Sequence, residues 1–290
     1  MSTTGEPRDI WQLPRLDEVD SYVPPGIDVT RPHPARMYNY YLGGKDNFAA
    51  DREAAEQVIA AAPSARPSAR GNRLFLRRAV RYLARRGVRQ FLDVGTGIPT
   101  VGNTHEAAQE LAPDARVVYA DNDPIVLVHA RALLRGTPEG RTSYVEADVR
   151  KPGTILAHPQ VRGVIDFGKP VAVLLVALLH FVRDEEDPAA LVAELRDALV
   201  PGSYLVLTHT SADFDAERAR GGAQIYNRAT APAVLRERAE ILHLFDGFDL
   251  VEPGLVPLPE WDPDDDPYDG AYGEYDESLV WLYGGVGRKN

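Results

Sequence analysis

Residues 91–100 read Phe91-Leu92-Asp93-Val94-Gly95-Thr96-Gly97-Ile98-Pro99-Thr100, a short apolar run that stops at a Gly-x-Gly turn. Helix-start residues follow at 103–106. This order predicts a buried strand, a tight turn and a helix whose first turn presents free N–H groups. The two glycines allow backbone conformations that a side chain would forbid, and they let a ligand approach the main chain closely. Asp93 ends the strand, where a carboxylate suits a positively charged ligand better than a pyrophosphate.

Outward from this turn, apolar segments alternate with helical patterns. The predicted strands are 89–94, 116–121, 142–147, 171–176 and 203–209, with two further β segments at 247–252 and 278–285. The predicted helices are 35–42, 48–62, 69–86, 103–111, 124–135, 152–157, 187–199, 212–220 and 231–241. Repeated βα units with apolar strands predict an α/β fold, in which a mostly parallel sheet carries helices on both faces.

The composition narrows the function classes. No run approaches the roughly 18 uninterrupted apolar residues of a membrane span, and the N-terminus lacks the layout of a signal peptide. The absence of cysteine excludes disulfides and fits a cytoplasmic protein. The net charge of −11 gives no basic excess for a nucleic-acid backbone. We therefore expect no nucleic-acid or membrane partner. We also expect no metal site, because the acids of 262–266 lack the glycine and final glutamate of a calcium loop.

Acidic residues stand at the ends of three predicted strands. The carboxyl ends of parallel strands meet at one edge of a sheet, so Asp93, Asp121 and Asp148 are expected around one ligand crevice. Asp121 follows the glycine turn at about the spacing where a carboxylate meets ribose hydroxyls in nucleotide-binding βαβ units. Asp148 suits an adenine amino group, while the neighbouring Val149 packs on the ring.

The order Asp93-x-Gly95-x-Gly97, then Asp121, then Asp148, resembles class I S-adenosylmethionine-dependent methyltransferases. The resemblance covers roughly residues 70–290. It implies a Rossmann-like seven-stranded sheet with an antiparallel last strand, and S-adenosylmethionine as the cofactor. It also implies that the glycine turn wraps the methionine portion, that the second-strand acid holds the ribose and that the third-strand acid meets adenine.

A closer likeness reaches the N-terminus. It lies in Ala35-Arg36-Met37-Tyr38-Asn39-Tyr40-Tyr41-Leu42-Gly43-Gly44-Lys45-Asp46-Asn47-Phe48, which is similar to the hallmark of a bacterial subfamily of S-adenosylmethionine methyltransferases without a settled substrate. In this position helices usually form a lid over the cofactor. We therefore expect an arm and helical lid over 1–68 and a cofactor-binding methyltransferase domain over 69–290. Arg36, Lys45 or Arg73 is expected to reach the cofactor carboxylate, because a buried carboxylate needs a cationic partner. The expected cofactor-binding residues are Arg36, Lys45, Arg73, Asp93, Gly95, Thr96, Gly97, Thr100, Asp121, Asn122, Asp148, Val149, Ala177 and Leu178.

His180 is the candidate catalytic residue. The segment Leu178-Leu179-His180 before Asp184-Glu185-Glu186 resembles one in small-molecule O-methyltransferases, where the histidine acts as a base. This chain has Phe181-Val182 where those enzymes often have Asp-Trp. In many other methyltransferases a histidine here lines the cofactor pocket. Base, pocket lining and neither role stay open. His209 is a further histidine that could face the acceptor.

Three functions are compatible with these patterns. The leading one is a methyltransferase that acts on a small-molecule acceptor. A binding-only regulator that senses S-adenosylmethionine is the alternative from another class. An NAD-dependent oxidoreductase is the third, although Thr100 stands where its third glycine would be. Neither the methyl acceptor nor the oligomeric state follows from the sequence.

Overall fold

The computed structural model describes residues 28–126, 136–261 and 273–290. Most of the predicted N-terminal arm and most of the helix predicted over 124–135 lie outside the described residues. The acidic residues of 262–266 lie outside them as well.

One sheet runs through the described part of the molecule. Its strands are β1 (Gln90–Val94), β2 (Arg116–Asp121), β3 (Arg141–Glu146), β4 (Ala172–Leu175), β5 (Tyr204–Thr210), β6 (Asp249–Leu250), β7 (Val256–Pro257) and β8 (Leu282–Arg288). The strand order is β3-β2-β1-β4-β5-β8-β6, with β7 paired to β8. Strands β1 to β5 are parallel, and β8 is antiparallel to β5. The predicted seven-stranded, mostly parallel Rossmann-like sheet with an antiparallel last strand is confirmed, and β7 is a short addition to it.

The strand order reverses between β1 and β4. The chain places β2 and β3 on one side of β1, and then β4 and β5 on the other side. In open α/β sheets, ligands bind outside the carboxyl ends of the strands at such a reversal. The Gly-x-Gly turn after β1 and the loop after β4 therefore flank the expected crevice.

Helices cover both faces of the sheet. The described α-helices are α1 (Pro34–Tyr41), α2 (Ala49–Ala61), α3 (Ala65–Arg85), α4 (Thr104–Gln109), α5 (Pro152–Ala157), α6 (Pro159–Val164), α7 (Pro188–Asp197), α8 (Ala216–Tyr226) and α9 (Arg238–His243). On one face, Phe91 of β1 joins a core with Phe75 of α3. On the other, Leu92 joins a core with residues of α5, α6, α7 and α9. Successive strand residues point to opposite faces, so Asp93 lies on the side of α3 and α4.

Some element boundaries differ from the predicted ones. Helix α3 begins at Ala65 rather than at 69, because Pro67 is tolerated in a first turn, where its missing N–H would have no helical partner. Helix α8 lies at 216–226 rather than 212–220, and α9 lies at 238–243 rather than 231–241. The predicted boundary between residues 68 and 69 falls inside α3, and the division into two domains stays a prediction. Within the described ranges, no helix is both long enough and apolar enough to cross a membrane.

Candidate active site at the strand ends

The turn after β1 is held open by backbone geometry. Gly95 and Gly97 have φ values of 72° and 68°, in the left-handed region that glycine adopts without steric cost. The Gly95 N–H donates to the Ala120 carbonyl of β2 at 2.7 Å. A Cβ on Gly95 would lie 2.5 Å from Leu178 Cδ1, whereas a Cβ on Gly97 would meet nothing within 4 Å. Gly95 therefore permits the turn after β1 to pack closely against Leu178 in the loop after β4, and Gly97 leaves open space beside the main chain.

Asp93 is a buried acid at the end of β1. The hydroxyl of Thr104, on α4, donates to Asp93 Oδ2 at 2.6 Å. Burial raises the pKa of Asp93 to about 6, while the Thr104 hydrogen bond and the charge of Arg73 oppose the rise. The carboxyl therefore changes its charge near neutral pH, and a cation placed beside it favours the ionised form.

Asp121 ends β2 and is held by backbone N–H groups. The Gly97 N–H donates to its Oδ2 at 2.8 Å, and the Asp123 N–H donates to its Oδ1 at 2.9 Å. Burial raises the pKa of Asp121 to about 6, and these hydrogen bonds oppose the rise. The side chain is thus fixed beside the glycine turn.

Asp148 follows β3 and is more exposed than the other two acids. Arg150 donates to Asp148 Oδ1 at 3.2 Å and to Glu186 Oε1 at 2.6 Å. The same guanidinium donates to the Phe181 carbonyl at 3.1 Å. Arg150, which sequence analysis did not single out, connects the end of β3 to the loop after β4.

A cavity of about 440 Å³ opens at these strand ends. It is lined by twelve of the fourteen predicted cofactor residues, namely Arg36, Arg73, Asp93, Gly95, Thr96, Gly97, Asp121, Asn122, Asp148, Val149, Ala177 and Leu178. His180 lines it as well. Lys45 and Thr100 are not on the cavity wall, and Lys45 is exposed beyond the end of α1. The structure therefore brings most of the predicted set together and leaves those two outside.

Arg36 lines the cavity but is engaged in a buried ion cluster. Its guanidinium lies 3.6 Å from Asp51 Oδ2 and 3.4 Å from Asp123 Oδ2, and it donates twice to the Asp28 carbonyl. All three charged side chains are at least 96% buried. His33 Nδ1 is 3.1 Å from Asp123 Oδ2. The cluster connects α1 and α2 with the residues that follow β2.

Arg73 of α3 has a different position. It is 8% exposed, donates to the carbonyls of Val101 and Gly102, and its charge acts on Asp93. Among the three predicted cations, Arg73 is the one that lies on the cavity wall outside the Arg36 cluster.

A hydrogen-bonded chain joins the N-terminal helices to the strand ends. The Asn72 amide donates to the Tyr38 hydroxyl at 2.9 Å, and the Thr208 hydroxyl donates to Asn72 Oδ1 at 2.7 Å. Thr208 Oγ1 accepts from the Ala177 N–H at 2.8 Å. Ala177 has φ 53°, a conformation that is strained for a residue with a Cβ. The chain therefore fixes a backbone turn on the cavity wall. Thr208 and Asn72 were not predicted, because only the fold brings them together.

His180 belongs to a buried group of nitrogen-bearing side chains. The rings of His180 and His209 are 5.4 Å apart. His209 Nδ1 donates to the Thr210 carbonyl at 2.7 Å, so its Nε2 accepts from Arg236 at 2.9 Å. Arg236 also donates to the carbonyls of Leu179 and Val182 and to Asp184 Oδ1.

This arrangement keeps both histidines neutral. Burial lowers the pKa of His180 well below its usual value, and His209 and Arg236 lower it further. Burial lowers the pKa of His209 to about 3. His209 is fully buried and does not line the cavity, so the expectation that it faces the acceptor is wrong. Arg236 belongs to no motif in the sequence, so sequence analysis missed it.

The reversal of strand order, the open glycine turn and the buried strand-end acids together define a nucleoside-binding enzyme of the Rossmann-like α/β class. A sequence model of the S-adenosyl methyltransferase family matches residues 21–290, and the chain belongs to that family. It is a methyltransferase, and S-adenosylmethionine is its cofactor. The alternatives of an NAD-dependent oxidoreductase and a binding-only regulator are thereby set aside.

Two solved structures are similar over nearly the whole chain. A DUF574 family protein from Streptomyces avermitilis MA-4680 is 43% identical, with a TM-score of 0.85 over 91% of this chain and 99% of its own. A methyltransferase candidate from Thermobifida fusca YX is 44% identical, with a TM-score of 0.83 over 93% of this chain and 99% of its own. Magnesium protoporphyrin IX methyltransferase from Synechocystis PCC 6803 shares the fold, at 12% identity and a TM-score of 0.50 over 88% and 93% of the two chains. No curated protein matches the chain.

The strand-end residues fit this cofactor. Its sulfonium and ammonium are positively charged, and the cavity wall carries two buried carboxyls, Asp93 and Asp121, whose ionised forms gain from a nearby cation. The open space beside Gly97 lets a ligand lie against the main chain.

Proposed function

We propose that this methyltransferase transfers a methyl group to a small-molecule acceptor bound beneath the N-terminal helices. One observation carries the proposal. A single cavity is lined both by the strand-end acids and by residues of α1, α2 and α8. Its volume of about 440 Å³ lies in the range of small-molecule sites, roughly 300–1,000 Å³.

The cofactor-binding assignments form part of this proposal. The Gly-x-Gly turn carries the methionine portion, Asp121 accepts from the ribose hydroxyls, and Asp148 with Val149 takes the adenine. Arg73 pairs with the cofactor carboxylate. The support for Arg73 over Arg36 is that Arg36 already serves two buried acids.

The helical cover is proposed to act as a lid. Helix α1 ends at Tyr41 and is followed, after Leu42, by Gly43, with φ 81°, and Gly44. Small residues at such a point absorb the backbone rotation of a moving element, and closure excludes water from the reaction. Tyr38 of α1 reaches the strand ends through Asn72, which gives the lid a contact with the cofactor side.

S-adenosylmethionine supplies an activated methyl group on a sulfonium, which an acceptor atom takes by in-line displacement. The protein contributes alignment in a dry pocket and a proton acceptor. His180 is the proposed base, because it is neutral, lines the cavity and has a buried Nδ1 without a hydrogen-bond partner among the described residues. Proton removal from an acceptor hydroxyl would place the proton on this ring.

Calorimetric titration with S-adenosylmethionine, S-adenosylhomocysteine and NAD tests the cofactor half of the proposal. We expect binding of the first two and none of NAD. Incubation with methyl-labelled cofactor and a metabolite library tests the acceptor half. Label recovered on a small molecule supports the proposal, and label recovered only on protein or nucleic acid would overturn it.

A further inference from the structure

The cavity has a second wall, apart from the strand-end acids. It is built by Val58 and Ala62 at the end of α2, by Ala219, Gly222, Ala223 and Tyr226 on α8, and by Trp281 before β8. We call these seven residues the acceptor wall. Ala62, Ala219 and Trp281 pack in one apolar cluster, while Val58 and Tyr226 belong to another.

The acceptor wall carries no charge. The charged side chains that line the cavity come from the residues before α2, from α3 and from the strand ends. Burial raises the pKa of Tyr226 to about 12, so this phenol stays neutral as well. An ionic ligand placed against this wall would lose its hydration without gaining a partner, which is costly. The wall therefore selects against charged acceptors.

The shape of the wall favours a flat ring. Residues 219, 222 and 223 of α8 line the cavity with short side chains or none, so they leave room for a ligand. Aromatic side chains line the cavity as well. The Phe181 ring lies 5.4 Å from that of Tyr226 and 4.4 Å from that of His180. Rings gain from such stacked and edge contacts beyond their burial.

One polar side chain on the wall of the cavity is the neutral ring of His180. Its Nδ1 is fully buried and has no hydrogen-bond partner among the described residues, so this nitrogen does not hold the ring to a neighbour. A hydroxyl both donates and accepts, so it can pair with a neutral imidazole in either tautomer of the ring. An ammonium only donates, and it would lie near the buried charge of Arg236. The His180 ring therefore favours a hydroxyl over an ammonium as the polar group of the acceptor.

We infer that the methyl acceptor is an uncharged aromatic compound with a ring hydroxyl, its ring on the acceptor wall and its hydroxyl at His180. This inference rests on the proposed function. In the reaction, the hydroxyl oxygen forms the new bond to the methyl carbon as the carbon–sulfur bond breaks. Sulfur keeps the electron pair of that bond, and the hydroxyl proton passes to His180 and then to solvent. The product is an aryl methyl ether.

Three probes of matched size test the acceptor class. 1-Naphthol, 1-naphthoate and 1-naphthylmethylammonium are titrated by calorimetry into the full-length protein saturated with S-adenosylhomocysteine. We expect 1-naphthol to bind at least about tenfold more tightly than either charged probe. Equal or tighter binding of a charged probe, or no binding of 1-naphthol at millimolar concentration, would overturn the inference.

A substitution on α8 tests the location. Ala223 lines the cavity, and Ala223→Leu extends a side chain into it. We expect 1-naphthol affinity to fall at least about tenfold, with S-adenosylhomocysteine affinity within about threefold of the unsubstituted protein. Gln224→Leu is the matched control, because residue 224 is exposed on the same helix, and it should leave both affinities unchanged. If Ala223→Leu binds 1-naphthol normally, the ring does not lie on this wall.

The same titrations distinguish a failure of the proposed function from a failure of the inferred acceptor class. Failure of S-adenosylhomocysteine to bind would remove the proposed function itself. Normal binding of S-adenosylhomocysteine together with a preference for 1-naphthoate would leave the proposed function in place and remove only the acceptor class.

Discussion

Asp93 and Asp121 give the site its pH dependence. Burial raises both pKa values from 3.8 to about 6, so the folded free protein holds these protons between about pH 4 and 6 while the unfolded chain has released them. For these two groups the free energy of unfolding therefore falls as pH rises through that range and stays reduced above it. A bound cation favours the ionised forms of both carboxyls, so binding of the cofactor offsets this loss of stability.

We therefore predict that the affinity for S-adenosylmethionine weakens as the pH falls below about 6. The affinity can fall by at most about tenfold per pH unit for each proton that must be released on binding. Calorimetry between pH 5 and 8 measures the slope. Asp93→Asn removes one of the two groups and should reduce the slope by about one proton. A slope that Asp93→Asn leaves unchanged would show that Asp93 stays ionised in the free protein.

His180→Ala is expected to lower kcat by about 10² to 10⁴, the usual contribution of a general base, with cofactor affinity within about threefold. Because the pKa of His180 lies well below 6.5, kcat should be level between pH 7 and 9. His180→Gln keeps a polar group but takes up no proton, so it should not restore the rate. Full restoration by glutamine would make His180 a positioning residue. His243→Ala, on the exposed surface of α9, is the control and should have no effect.

At the level of elements, sequence patterns predicted strands better than late helices. Strands β1, β2, β4 and β5 each contain an apolar run, and the three acids singled out from the sequence stand at the ends of β1, β2 and β3. The predicted bounds of α8 and α9 are wrong. The apolar residues of 212–241 face the lid and β8 as well as the sheet, so they do not form the single apolar face from which a helix is predicted. The chain from Tyr38 to Ala177 could not be predicted, since its members are far apart in sequence.

That chain gives a prediction for the packing of α3 against β5. Asn72→Ala removes the acceptor of the Thr208 hydroxyl and the amide that donates to the Tyr38 hydroxyl, and should lower the free energy of unfolding by about 1–3 kcal/mol. It should also weaken cofactor binding, because Ala177 loses the support of its strained turn. Urea unfolding and calorimetry measure the two effects.

Tyr40→Phe is the control for this experiment. The Tyr40 hydroxyl bonds the exposed Glu56, so its loss should change stability by less than about 0.5 kcal/mol. A stability loss with Asn72→Ala no larger than with Tyr40→Phe would show that the buried chain does not support the turn.

For the molecule as a whole, the sheet and the cofactor side of the site follow from sequence, and the attachment of the lid does not. The strand-end acids can be recognised in the sequence because they interrupt or follow the strand segments. The Arg36 cluster draws its members from the chain before α1, from α1, from α2 and from the residues after β2, and each of them alone has the pattern of a surface charge. Arg36 was therefore predicted to bind the cofactor, and its engagement with Asp51 and Asp123 became visible only in the fold.

This cluster anchors the lid to the sheet, which leads to a prediction about Arg36→Ala. Removing the guanidinium leaves Asp51 and Asp123 buried without their cation, and breaking a buried pair in this way costs about 3–5 kcal/mol of stability. Arg66→Ala removes an ion pair with the exposed Glu56 and should cost at most about 1 kcal/mol. Urea unfolding without cofactor compares the two variants. If Arg36 instead binds the cofactor carboxylate, Arg36→Ala will leave the urea unfolding curve unchanged and weaken only S-adenosylmethionine binding.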